Sequence, residues 1–405
     1  MPNSTTHSNL TAAALRLQLC ETGDNSELIR EYCSLPDLYF SNKRDEVAPY
    51  IFFTDGIQFH YPPDTPYCDL YRYWVNDEKG LHRSRSVVNE NFRHVTAGFA
   101  FYISRTVDHF RNGQYEEGKK YMGCLLHMLE DSTFGLHSLE GAGGTDAFAL
   151  DRLIDAPLQP SRIMASLQWR EDFPLPEHTP SSLGNSVDEV VMKLYAAYCA
   201  SSSDSRKCAF RYIMNTLENR EEENFSLATR MYSNAVRLCA DVIHTLFQLG
   251  RNEKQIPDAP CPLTGLEPFE FPFGGFAPYK YRSFVRNGAY DTENNFLPLE
   301  VAHHKFRHGL SFGTHAAGTL SYQIAPDTFR QFRAVVGFHK AVPVNGEAHI
   351  TFFNDGKEEY VFTLNEKNSF TEVHIAMPRK ELRLTFRSTG QCGVIVVGEP
   401  ELFYL

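Results

Sequence analysis

The sequence predicts a multidomain protein: an all-α domain over residues 1–256 and an all-β, jelly-roll-like sandwich over residues 257–405. Three observations lead to this fold class. A chain of 405 residues is longer than a single hydrophobic core usually supports. Several stretches of the first 250 residues have a helical pattern, with apolar residues at three- and four-residue spacing over residues 91–110 and 115–129. After Gly309, short segments of alternating hydrophobicity replace that pattern.

The helical pattern predicts five elements, and a change of composition marks where it ends. A Pro-rich loop at 173–186 precedes the last two long helices. Residues 251–280 contain six prolines and lose the helical periodicity, so we place the domain boundary near residue 256. The predicted helices cover residues 10–20, 91–110, 115–129, 186–218 and 223–249.

The β-domain is predicted from seven short segments that turn residues separate. One such turn is Asn354-Asp355-Gly356, whose Asp-Gly pair is typical of a tight hairpin. Closely spaced strands of this kind indicate a sandwich. The predicted strands are TLSYQI, FRAVVGF, AHITFF, EYVFTL, TEVHIAM, LRLTF and GVIVV.

Composition excludes several classes of protein. The formal net charge of −11 argues against binding to DNA or RNA, because the surface has no basic surplus to neutralise phosphates. We find no run of about 18 apolar residues and no signal peptide, so we expect a cytoplasmic protein, or a secreted one whose signal has been removed. The nine cysteines include no C-x-x-C pair, which indicates reduced thiols and no thiolate zinc site.

The segment around His127 has the pattern of a metal site. His127 and Asp131 are four residues apart on a predicted helix and therefore project from one face, where one ion can bind both. His137 follows six residues later, beyond a bend predicted at Gly135, and could reach a neighbouring ion. Imidazole and carboxylate are the usual ligands of catalytic zinc sites.

This segment, Gly118–His137, resembles the helix with the motif H-x3-D-x5-H in zinc-dependent phospholipases C, which share their fold with single-strand-specific nucleases. The resemblance covers about residues 5–250. It implies two or three zinc ions, with Asp131 as a bridge between two of them. The family continues with a histidine and an acid, where this chain has Asp151 and Asp155. An outer ion held by His137 and two aspartates would be a harder site, open to magnesium, manganese or calcium.

The same resemblance implies further metal ligands upstream. His7, ahead of the small-residue stretch LTAAALRL, is similar to the family's early histidine. Asp37, in Leu-Pro-Asp-Leu, and Asp55 are competing choices for its aspartate, which holds an inner ion and orients the attacking water. His60, in Phe-His-Tyr, is similar to its next histidine, and we expect it to share an ion with His127 and Asp131. No tryptophan lies near residue 1, although the family also uses an N-terminal tryptophan as a ligand.

The function implied is that of a metal-dependent phosphodiesterase, which hydrolyses a phosphate ester of a lipid or glycoconjugate with metal-activated water. Clustered divalent ions suit this reaction because they acidify water and stabilise the charge that develops on phosphate oxygens. Two alternatives are a nuclease of the same fold, which the acidic composition disfavours, and a catalytically weak protein that binds a glycan or a protein partner.

Residues 257–405 resemble the NPCBM-type carbohydrate-binding modules that are attached to glycosidases. The resemblance rests on three segments in order: GLSFGTHA at 309–316 followed by TLSY, FRAVVGF at 332–338, and FNDG at 353–356. It implies a carbohydrate ligand for this domain. We read His315, which lies in the first segment, as a buried structural histidine.

Overall fold

The computed structural model divides the chain into two compact units, Met1–Gln255 and Ile256–Leu405. Within them the structure describes residues 4–18, 26–36, 48–50, 85–134, 169, 173–255, 257–270, 284–313, 317–391 and 393–405. In this part of the chain, no helix is both long and apolar enough to cross a membrane.

The described residues of the first unit are mostly helical, as the sequence predicts. The helices are α1 Ser4–Arg16, α2 Glu27–Tyr32, α3 Arg85–Arg111, α4 Tyr115–Thr133, α5 Val187–Leu217 and α6 Asn224–Gly250. The last helix, α6, packs against α1, α3, α4 and α5. Short 3-10 turns lie at Ala48–Tyr50 and Glu221–Glu223.

The first helix differs from its predicted span of 10–20, because α1 begins at Ser4 and ends at Arg16. Its buried face includes Thr6, His7 and Thr11 beside Leu10. Such polar positions do not contribute to the apolar periodicity, so the predicted helix begins too late in the chain. The six-residue helix α2 was not predicted, since a single turn and a half is too short to show a helical period.

Local sequence explains where α5 begins. Ser186 caps this helix, and its hydroxyl accepts a hydrogen bond from the backbone N–H of Glu189. The Glu189 carboxylate in turn accepts from the backbone N–H of Asn185, at 2.8 Å. The pair works like a capping box and satisfies two backbone donors at the helix start.

The second unit is built from antiparallel strands. The strands are β1 Cys261–Pro262, β2 Val285–Arg286, β3 Ala289–Tyr290, β4 Phe296–Leu297, β5 Glu300–Val301, β6 His304–Lys305, β7 Gly309–Gly313, β8 Ala317–Gln323, β9 Phe329–Phe338, β10 Asn345–Asn354, β11 Lys357–Leu364, β12 Phe370–Ala376, β13 Glu381–Gln391 and β14 Val394–Tyr404. One sheet has the order β12-β9-β14-β7-β2, with β1 also paired to β14, and the other has the order β11-β10-β13-β8. Two small hairpins, β3-β4 and β5-β6, complete the described strands.

Aromatic rings join the two larger sheets. Phe312 of β7 stacks on Phe386 of β13 with ring centroids 5.0 Å apart, and all but a few per cent of both side chains is buried. The predicted Asp-Gly turn joins β10 to β11 in a two-residue hairpin. Asp355 and Gly356 both have positive φ values, 53° and 80°, as a type I′ turn requires.

Candidate metal centre

Three polar side chains from α1 and α4 meet inside the helical unit. They are His7, His127 and Asp131, and one ligand atom from each lies within 4.8 Å of the other two. Both histidines are fully buried, and Asp131 is 2% exposed. The imidazole rings stack with their centroids 4.3 Å apart. The structure therefore brings together two ligand candidates one helical turn apart on α4 and a third from the start of the chain.

The distances between these atoms fit a metal ion. Nε2 of His127 lies 3.3 Å from Oδ2 of Asp131, and Nε2 of His7 lies 3.6 Å from Oδ1. Ligand atoms at the corners of a zinc tetrahedron are about 3.3–3.5 Å apart, given zinc–ligand bonds of about 2.0–2.2 Å. A charge-assisted hydrogen bond would be shorter, about 2.7–2.9 Å. Each carboxylate oxygen of Asp131 faces a different imidazole. The three side chains can therefore bind one ion, or two ions that the Asp131 carboxylate bridges.

The second nitrogen of His127 is held by the backbone of α2. Nδ1 lies 2.6 Å from the carbonyl oxygen of Cys33, which can only accept a hydrogen bond. The proton of the neutral ring therefore resides on Nδ1, and Nε2 presents its lone pair toward Asp131. Histidine ligands of metals are commonly oriented in this way.

His7 is oriented by the carboxylate of Glu130, which the sequence did not predict as part of the site. Nδ1 of His7 lies 2.7 Å from Oε2 of Glu130, and the hydroxyl of Thr11 donates to Oε1 of Glu130 at 2.7 Å. His7 and Thr11 are one turn apart on α1, so both reach the same carboxylate. The available signal was a pair of consecutive acids, Glu130-Asp131, inside an otherwise apolar stretch of α4.

Burial governs the electrostatics of this centre. Glu130 is fully buried, and this desolvation raises the pKa of its carboxyl well above the ordinary value. The neighbouring Asp131 acts in the same direction, while the hydrogen bond from Thr11 and the proximity of His127 lower the pKa. Two buried carboxylates side by side are costly unless positive charge lies near them.

A close approach of α2 and α4 sets the position of the Cys33 carbonyl. A Cβ on Gly123 would lie 2.7 Å from the carbonyl oxygen of Ile29 and 2.8 Å from Cβ of Tyr32. Only glycine allows the two helices to approach this closely. Gly123 lies one turn before His127 on α4, so the same contact brings the end of α2 to the imidazole.

Six of the ligands predicted from the sequence lie outside the described residues. They are Asp37, Asp55, His60, His137, Asp151 and Asp155. The expected sharing of one ion by His60, His127 and Asp131 therefore stays a prediction, as does the outer ion at His137. His315 of the β-unit also lies outside the described residues, just after β7.

The second unit is similar to a known protein family. Residues 280–394 match the family model of the NPCBM/NEW2 domain. The matched residues make up most of the C-terminal unit and less than half of the chain. This match confirms the C-terminal part of the resemblance found in the sequence, whereas no family model matches the helical unit. A search of curated proteins finds no match to the chain.

Several solved structures are similar to this chain at low sequence identity. The CBM51 module of Clostridium perfringens GH95, solved with methyl-galactose, is 13% identical over 36% of this chain and 99% of its own, with a TM-score of 0.30. The tandem CBM51 modules of Streptococcus pneumoniae Sp3GH98 are 12% identical over 36% of this chain and 47% of theirs, with a TM-score of 0.28.

Another similar structure, the alpha toxin of Clostridium absonum, spans both units of the chain. It is 9% identical over 98% of this chain and 92% of its own, with a TM-score of 0.33. All three TM-scores lie below 0.5, so these similarities carry no functional assignment.

Proposed function

We propose that the helical unit is a zinc-dependent phosphoric ester hydrolase that resembles phospholipase C and cleaves a phosphodiester of a lipid or glycoconjugate. The observation that carries this proposal is the buried cluster of His7, His127 and Asp131, with Nε2 of each histidine 3.3–3.6 Å from an Asp131 oxygen. The similarity of Gly118–His137 to the metal-bearing helix of that family supports it.

Charge balance favours a divalent cation in this cluster. Glu130 and Asp131 place two carboxylates in the interior, and the cost of burying them falls if a cation binds between them and the imidazoles. The tautomer fixed at His127 leaves Nε2 as the donor atom toward the centre. Two imidazoles and one carboxylate match the protein ligands of known catalytic zinc sites.

Each residue has a defined task in the proposed enzyme. A bound zinc ion would supply Lewis-acid activation of water and of the phosphate oxygens. His7, His127 and Asp131 would hold the ions, and Glu130 and the Cys33 carbonyl would orient the two imidazoles.

The residues implied by resemblance complete the proposal. Asp37 or Asp55 would act as the carboxylate that orients the attacking water, with His60 at the inner ion. His137, Asp151 and Asp155 would hold an outer ion, which we expect to bind zinc more weakly because two carboxylates make the site harder.

Metal content and a substrate panel test this function. We expect two or three zinc ions per chain by mass spectrometry of the purified protein. The zinc-loaded protein should cleave a chromogenic phosphodiester or phosphatidylcholine faster than single-stranded DNA, and His127→Ala should abolish cleavage. One zinc or none, with no cleavage of any substrate, would instead identify a protein that acts through glycan or partner binding.

For the C-terminal unit we propose a carbohydrate-binding role, which would direct the helical unit to glycan-bearing substrates. The family match over residues 280–394 supports this role. A glycan array probed with a fragment covering residues 257–405 provides the test. Saturable binding to a defined set of glycans is the expected result, and the absence of any glycan signal from a folded fragment would contradict the proposal.

A further inference from the structure

A cavity of about 530 Å³ between α5 and α6 has a cationic lining. Arg206, Lys207 and Arg211 of α5 and Arg230 of α6 contribute positive charge. Among the described residues, the lining contains one carboxylate, that of Asp204, which accepts a hydrogen bond from Arg230 at 2.8 Å. Asp204 therefore offsets Arg230, while Lys207 and Arg211 have no acidic partner among the described residues.

The spacing along α5 explains why these cations converge. Lys207 and Arg211 are one turn apart, and so are Arg206 and Phe210, so two neighbouring rows of the helix face the cavity. Lys207 and Arg211 are exposed and form no salt bridge with a described residue. Burial lowers the pKa of the Arg206 guanidinium. Such an excess of cations is unusual in a protein whose net charge is −11.

The cavity also has an apolar part. Phe210, although 59% exposed, lines it from α5, and Leu227 lines it from α6. The cavity volume falls within the range of about 300–1,000 Å³ that is typical of small-molecule sites. Guanidinium groups bind phosphoryl oxygens through paired hydrogen bonds, so the charged part suits a phosphate and the apolar part suits an attached hydrocarbon.

We propose that this cavity binds a small phosphorylated molecule, with the phosphoryl group on Arg206, Lys207 and Arg211 and the apolar portion against Phe210 and Leu227. None of these residues belongs to the His7–His127–Asp131 cluster, so the site is separate from the proposed hydrolase function. A neighbouring cavity of about 520 Å³ shares Asp204 and Arg230 and adds Arg237, and it gives room for a longer anionic ligand.

Calorimetric titration of the zinc-stripped protein with hexyl phosphate, inorganic phosphate and hexanol tests the proposal. Removing zinc excludes phosphate binding at the metal centre, so the result does not depend on the hydrolase being real. We expect saturable binding of hexyl phosphate, about tenfold tighter than inorganic phosphate, and no binding of hexanol. Phe210→Ala should remove the preference for hexyl phosphate and retain the binding of inorganic phosphate.

Charge reversal identifies the site. The variant Lys207→Glu/Arg211→Glu should weaken hexyl phosphate binding about a hundredfold. The matched control Lys254→Glu/Lys357→Glu, which reverses two exposed charges outside the cavity lining, should bind like the wild type. Circular dichroism of each variant checks that it is folded.

Two outcomes would overturn the proposal. The first is wild-type affinity in the Lys207→Glu/Arg211→Glu variant. The second is no saturable binding of hexyl phosphate to the wild-type protein. If the protein then binds vesicles of phosphatidic acid and phosphatidylcholine, the region is a lipid-docking surface in place of a small-molecule site.

Discussion

Glu130 and Asp131 are neighbours in the chain, yet their carboxylates face different partners. Asp131 lies one turn after His127 and points to both imidazole Nε2 atoms, while Glu130 points to Nδ1 of His7 and to Thr11. The pairing of His127 with Asp131 follows from helical spacing and was predicted from the sequence. His7 and Glu130 are 123 residues apart in the sequence, and a local sequence pattern cannot predict a contact over that separation.

We expect Glu130→Gln to weaken zinc binding by about 10–100-fold, because the outer partner of a histidine ligand contributes this much to metal affinity. The change keeps the shape of the side chain and removes the charge that orients His7. Competition against a chromogenic chelator measures the zinc dissociation constant. Glu117→Gln on the same helix, where the carboxylate pairs with Lys120, should leave that constant unchanged. Equal zinc affinity in both variants would show that Glu130 does not support zinc binding through His7.

At the scale of elements, the long helices were predictable and the short connections between them were not. The helices α3 to α6 run for 19 to 31 residues, which is enough for an amphipathic period to be visible. The helix α2 has only six residues. It can pack beside α4 because Gly123 has no Cβ atom. A glycine inside a helical pattern indicates that another segment packs closely against the helix, but it does not reveal which segment. The contact between the Cys33 carbonyl and His127 was therefore not predictable.

We therefore expect Gly123→Ala to have two effects. The added methyl group overlaps the backbone of α2 and should lower the free energy of unfolding by about 1–3 kcal/mol. It should also displace Cys33 from His127 and reduce zinc affinity. Gly118→Ala on the same helix serves as the control, since its Cβ would meet the side chain of Phe110 and not α2. That control should lower the melting temperature and leave zinc affinity intact; if both variants bind zinc equally, the α2 contact does not orient His127.

The whole molecule combines two compact units of different chemistry. The hydrophobic residues change from a helical to an alternating periodicity along the chain. This change was sufficient to predict helices followed by antiparallel strands. The cluster of His7, His127 and Asp131 lies in the first unit, and the family match lies in the second. The buried side chains of each unit form a core of its own type, helical in one case and sheet-built in the other.

This arrangement predicts that zinc stabilises only one of the two units. Ligands that bind the folded state alone raise its stability by an amount set by their concentration relative to the dissociation constant, about 2.7 kcal/mol at a hundredfold excess. Differential scanning calorimetry should show two transitions, and chelation should lower the first and leave the second in place. His127→Ala should reproduce the effect of the chelator, because it removes a proposed ligand that lies in the first unit.

A fragment of residues 257–405 should melt at the temperature of the second transition. A single transition that shifts as a whole on chelation would show that the units unfold together, and that bound metal stabilises the C-terminal unit as well.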